Sequence, residues 1–231
     1  MKILFACLFV LFVTMSGFAE TPVNVIMKGE ATNSKGKLVY TESHTYKKLS
    51  SGEITEIQTK YHNAEGKLIA EVSADFTKDA FIPDTVFIDH RFSEKQELTY
   101  DKDSKMVTMK LTDKNGKVKT NTIARTDDMV SGSGFHNYIL KHYDAKKSDI
   151  KFIVLPKLDY YSFFFQKEPS ETTGQRKFVL KISSWVLRAL VKEIVVEYRD
   201  ADHVLMSFEG LTNIESDSHD SQILKIKLSY P

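Results

Sequence analysis

Cysteine is nearly absent. The chain of 231 residues holds one, Cys7, and a lone thiol excludes an intramolecular disulfide framework, so the fold is held by its core alone. Glycine-rich phosphate loops and dinucleotide fingerprints are also missing, which removes the nucleotide chemistry that those loops perform. Charge of one sign is lacking as well. One of the 32 basic residues, Lys2, and none of the 31 acidic ones falls within residues 1–19, which leaves 31 against 31 in the remainder. No excess charge steers that remainder to nucleic acid or to an anionic membrane.

Long apolar runs are confined to the start. Lys2 precedes an apolar stretch from Ile3 to Val13, then Thr14 to Ala19 with small residues three apart, Ser16 and Ala19, before Glu20. A positive start, a short apolar middle and a small-residue exit describe a cleaved signal peptide over residues 1–19. The run is about half the roughly 20 residues that a spanning helix needs, so no stable membrane insertion is expected after cleavage. Periplasmic localisation follows, with release outside the cell as the alternative, and residues 20–231 are read as one β-rich domain without an internal linker.

Three turns in that remainder share one formula: Asn33-Ser34-Lys35-Gly36, Asn63-Ala64-Glu65-Gly66 and Asp113-Lys114-Asn115-Gly116. Asn or Asp bonds its own backbone, and glycine three positions on takes the left-handed conformation of a bulged hairpin loop. Arg199 to Val204 is a fourth such turn, with Asp202 or His203 in the glycine's place. These clusters have too few oxygen ligands for calcium. Alternation between the turns, such as Val107, Met109 and Leu111 opposing Thr108, Lys110 and Thr112, reads as antiparallel strands with one wet face.

From Ser131 to Phe165 the rhythm changes. Phe135, Tyr138, Ile139 and His142 fall at helical spacing, with Ser131 or Ser133 as cap, and predict an amphipathic helix over 132–147. Tyr160 to Phe165 packs five aromatics into six positions and reads as a strand covered on both sides, or as one lining an apolar cavity. Residues 184–191, Ser-Trp-Val-Leu-Arg-Ala-Leu-Val, predict a short helix apolar on nearly every side and therefore buried. The expected fold class is mainly β (α+β): a curved antiparallel sheet, or open half barrel, of ten to twelve strands wrapped around these two helices.

The blocks Val195 to Ile214, Ser131 to Phe135 and Ser184 to Arg188 resemble a family of uncharacterised bacterial exported proteins. That likeness spans nearly all of the mature chain and implies no activity. The expected architecture is also similar to the lipoprotein carriers of the Gram-negative periplasm, open barrels that hold acyl chains, and this implies a hydrophobic ligand.

Reactive constellations are sparse. The seven histidines show none of the i,i+2 or i,i+4 pairs that zinc sites use, and most are expected to be isolated at the surface. Gly132-Ser133-Gly134 lacks the outer glycines of a hydrolase elbow and serves instead as a helix start. Glu209, between Phe208 and Gly210, is the acid expected to be buried. No catalytic residue, metal or cofactor is assigned. The remaining signal is aromatic, and the candidate ligand-binding residues are Phe135, Tyr138, Tyr160, Tyr161, Phe163, Phe165, Trp185, Phe208 and Glu209. The reading is a non-enzymatic binding or carrier protein for a lipid-like molecule. The alternatives are an envelope interaction or assembly factor, working through a sheet edge or the loop from Gln166 to Gly174, and a hydrolase with a site assembled in space.

Overall fold

The computed structural model describes residues 23–185 and 192–230. Its strands are β1 Val23–Thr32, β2 Leu38–Lys48, β3 Ile54–Asn63, β4 Leu68–Asp75, β5 Asp84–Asp89, β6 Glu94–Asp101, β7 Met106–Thr112, β8 Val118–Ala124, β9 Met129–Val130, β10 Lys147–Val154, β11 Asp159–Glu168, β12 Gln175–Ile182, β13 Ile194–Arg199, β14 Val204–Leu211 and β15 Ile223–Ser229. All fifteen belong to one sheet in the order 8-7-6-5-4-3-2-1-15-14-13-12-11-10-9. Two meanders therefore meet where the first strand pairs with the last, Lys28 opposite Ser229 through Thr32 opposite Lys225. Every pairing is antiparallel except the short one between β9 and β10.

The hairpins form as their turn chemistry dictates. Gly36, Gly66 and Gly116 adopt φ of 74°, 81° and 75°, and each donates its N–H to the carbonyl of the Asn or Asp three residues earlier, at 2.9 Å. His203 fills the same role in the β13–β14 turn at φ 54°, a conformation in which glycine is the cheaper residue.

The sheet is mainly β and curved as expected, but it has fifteen strands rather than ten to twelve. Its two end strands are not paired with each other. Among the described residues there is one α-helix, α1 Phe135–Lys141, and one 3-10 turn, Leu155–Lys157. Residues 1–19 lie outside the described residues, as does most of the second expected helix, residues 186–191. Trp185, expected inside, is 82% exposed. The central helix is half the expected length, because Lys147 is already drawn into β10 opposite Gln166. A helix this short is marginal by itself and yields to strand pairing. Neither serine caps it: Gly134 is the N-cap residue, while Ser131 Oγ accepts the Gly134 N–H at 3.3 Å and shapes the turn that leads in. Among the described residues no helix is long and apolar enough to cross a membrane.

Helix α1 lies against the inner, buried face of the sheet and is pinned at both sides. Tyr138, Ile139 and Tyr143 pack with Phe165, Phe178, Leu180 and Tyr198 from β11 to β13. On the other side Asn137 Oδ1 accepts the N–H of Ile54, its Nδ2 donates to the carbonyl of Ile54, both at 2.8 Å, and Nδ2 also reaches the carbonyl of Ala80 at 3.3 Å. Gly134 sits so close to Phe81 that a Cβ there would lie 2.0 Å from the Phe81 carbonyl oxygen.

Two outcomes follow from this anchoring. Gly134→Ala is expected to cost about 3 kcal/mol or more by overpacking, whereas Gly132→Ala, whose Cβ meets nothing within 4 Å, is expected to be neutral; denaturant midpoints of the two variants check this. Asn137→Leu strands the buried Ile54 N–H and C=O and is expected to lose about 1–3 kcal/mol per group, read as a lower melting temperature without change in far-ultraviolet dichroism.

Candidate functional site

The curvature brings part of the expected aromatic set together. Tyr138 and Phe165 are buried in one cluster, and Phe135, Phe163 and Phe208 pack against it. The rings form a chain of edge and tilted contacts. Phe81 meets Tyr138 at 5.2 Å, Tyr138 meets Phe165 at 5.7 Å, and Phe165 meets Phe178 at 6.0 Å between centroids. Tyr160 belongs to a different cluster, with Ile82, Leu98, Val107, Met109, Met129 and Ile153.

Three of the candidates stand elsewhere. Tyr161 and Trp185 are exposed, and Glu209, expected to be the buried acid, is on the outer face with Lys225 Nζ 3.8 Å away. The parity of β14 explains the last: Phe208 and Gly210 flank Glu209 and take the inner and close-packed positions, so Glu209 points out. The aromatic strand β11 is covered on both faces only at Phe164 and Phe165, where Lys147 Nζ lies 4.3 Å from the Phe164 ring centre.

The buried acids are Glu42 and Asp89. On β2, Tyr40, Glu42, His44 and Tyr46 alternate onto the inner face, all under 9% exposed. His44, expected at the surface, has Nε2 at 2.7 Å from Glu42 Oε2 and Nδ1 at 2.8 Å from Thr59 Oγ1. The tautomer that donates Nε2–H to the carboxylate leaves Nδ1 to accept the threonine proton. Gly29 makes room for this group, since a Cβ there would sit 3.0 Å from Glu42 Oε2. Burial first, and the Glu42 carboxylate second, push the Tyr40 and Tyr61 phenols upward, so both stay protonated. The sequence signal was the i,i+2 pair Glu42 and His44; Tyr40 Oη beside them has no hydrogen-bond partner among the described residues, so the chain of hydrogen bonds runs from Thr59 through His44 to Glu42. It has the order of a nucleophile, base and acid, but all three members are buried and no substrate reaches them as folded.

A second polar place lies where α1 meets the ends of β2 and β14. A crevice of about 10 Å³, room for one water, is lined by Tyr46, Lys48, Gly52, His136, Asp202, His203 and Tyr230 among others. His136 Nδ1 is 3.2 Å from Tyr198 Oη. Burial pushes the His136 imidazole down to about 4, with Lys48 acting in the same direction and a Gly52 backbone hydrogen bond acting against it. A larger surface depression of about 110 Å³ lies over Asn24, Thr45 and Glu56 on the outer face. Neither is lined by Tyr160 to Phe165. Among the described residues no group of three or more His, Cys, Asp or Glu side chains is placed to hold a metal ion.

The neutral His136 makes stability pH-dependent. Its folded pKa lies below the unfolded value of 6.5, so between these two values the unfolded chain binds more protons and stability falls as pH falls from 6.5 towards 4. The loss is expected to approach about 3 kcal/mol, and His136→Gln is expected to remove that part of the slope, as read from urea midpoints across the range. No family model and no curated protein matches the chain, so the family resemblance rests on its residue blocks alone. Among solved structures the chain is similar to a porin-like protein from Bacteroides uniformis, at 9% identity over 91% of this chain and 99% of that one with a TM-score of 0.27. It is also similar to MucB in complex with MucA(peri), at 12% identity over 90% and 89% with a TM-score of 0.17. At such TM-scores neither likeness bears on function.

Proposed function

We propose that the chain is a non-enzymatic binding or carrier protein of the bacterial envelope, acting in the periplasm, that holds a hydrophobic, lipid-like ligand. The observation that supports this is the way the inner face is filled. Phe135, Tyr138, Phe163, Phe165 and Phe208 share one cluster, and the element above the strands is a seven-residue helix instead of a second sheet. Helix α1 touches β10 to β13 through side chains, so lifting it breaks no strand pair, and what it gives up in hydrogen bonds includes the set from Asn137 to Ile54 and Ala80.

The crevices of about 10 and 110 Å³ are too small for an acyl chain, so in this reading the ligand enters by displacing the rings of α1. Burying about ten methylenes contributes roughly 8 kcal/mol, which offsets the exposure of those rings. Protein recovered from the periplasm is expected to carry extractable lipid in native mass spectrometry, and the stripped protein to take up a fluorescent fatty acid saturably. A chain that carries no lipid and takes up none would end this reading.

A further inference from the structure

The two ends of the sheet are finished differently. β9 is two residues long. β8 runs for seven, with no register shift against β7, no proline and, among the described residues, no strand on its other side. Its pairing is bracketed by Asp113 N–H donating to the Lys117 carbonyl and Arg125 N–H donating to the Lys105 carbonyl. Since bonded and non-bonded pairs alternate, Val118, Thr120, Thr122 and Ala124 turn their N–H and C=O groups away from β7. One of these donors, Thr122 N–H, is taken by Asn121 Oδ1 at 2.9 Å. The strand is exposed along its length apart from a half-buried Ile123, and its only charge is Lys119. Natural edges are ordinarily blunted by several charges, bulges or prolines, because an open edge templates another strand.

We propose that β8 pairs with β8 of a second copy, antiparallel about a two-fold axis at Asn121, and so joins two sheets into one. The strand's own sequence selects this occupant and this register. Centred on Asn121, Val118 faces Ala124 of the second copy and Thr120 faces Thr122, so all four residues with outward backbone groups are bonded at once; Thr122 N–H exchanges its side-chain partner for a carbonyl. Threonine opposite threonine is a favourable cross-strand pair. On the inner face Lys119 meets Ile123 and Asn121 meets itself, its Nδ2 staying on the Leu158 carbonyl of its own copy at 2.9 Å, so the lone charge never opposes its like. A shift of two residues leaves Val118 or Ala124 without a partner, and a shift of one turns bonded positions against non-bonded ones. Such a contact is isologous and closes as a dimer.

Light scattering coupled to size exclusion, run on the full chain with Cys7→Ser at rising concentration, tests this. The expected result is a dimer that Thr120→Pro abolishes. That N–H points away from β7, so the variant keeps the parent's melting temperature. In the proposed register Asn121 is the residue opposite itself, about 4.5 Å apart at Cα and within disulfide reach. Asn121→Cys is therefore expected to oxidise to a covalent dimer and Lys119→Cys not to. A monomer at every concentration, a dimer indifferent to Thr120→Pro, or equal crosslinking from positions 119 and 121 would overturn the proposal.

Discussion

A sheet paired strand by strand in sequence order has two ends with nothing to meet, and the curvature that brings those ends together is the constraint that the remaining structure obeys. They meet through side chains. Leu98, Val107 and Met109 from β6 and β7 bury themselves against Met129 and Ile153 from β9 and β10. Asn121 Nδ2 donates to the Leu158 carbonyl at 2.9 Å, and Leu158 accepts a left-handed φ of 53° just after the 3-10 turn. Arg125 and Asp79, both nearly buried, add an ion pair at 3.0 Å. Asp79 also holds the loop before β5, accepting the N–H groups of Phe81 and Ile82. That loop carries the Phe81 carbonyl against which Gly134 is pressed, so the seam and the seat of α1 are parts of one arrangement.

With side chains of the two ends in contact, much of the inner face is buried, and a charged or imidazole group there needs a partner or must stay neutral. Glu42 finds one in His44 and His44 another in Thr59, each from the same or the adjacent strand. Breaking a buried pair of this kind costs more than the pair contributes, because the remaining charge stays in an apolar place. Gly29 on β1 is what allows the carboxylate there at all. Across the interior His136 meets the same demand without a charged partner and stays neutral.

Turns were the most legible part of the chain, because a hairpin loop is decided by local chemistry: Asn33, Asn63 and Asp113 with their glycines acted as expected, and antiparallel strands flank each of them. The helix was legible in position but not in length, since its last turn competes with a partner, Gln166, that is distant in sequence. The two-residue strand β9 carries no periodicity to read. In the candidate site, Tyr138 and Phe165 were legible as buried rings. Glu209 was misjudged from its apolar neighbours, since in a strand neighbours point to the opposite face and the informative positions are two away. The same rule, applied to Tyr40, Glu42, His44 and Tyr46, picks out the inner polar chain.

The pairing of β1 with β15 has a consequence for biogenesis. A chain made from its N-terminus delivers β1 first and Ile223–Ser229 last, so until synthesis finishes, one side of β1 has only solvent or another unfinished molecule to bond. Local hairpins on either flank assemble early at little entropic cost, but the middle of the sheet is joined by its most distant segments. Loss of the last dozen residues would thus turn the middle of the sheet into an adhesive border, and a chaperone that shields extended segments would find its substrate there.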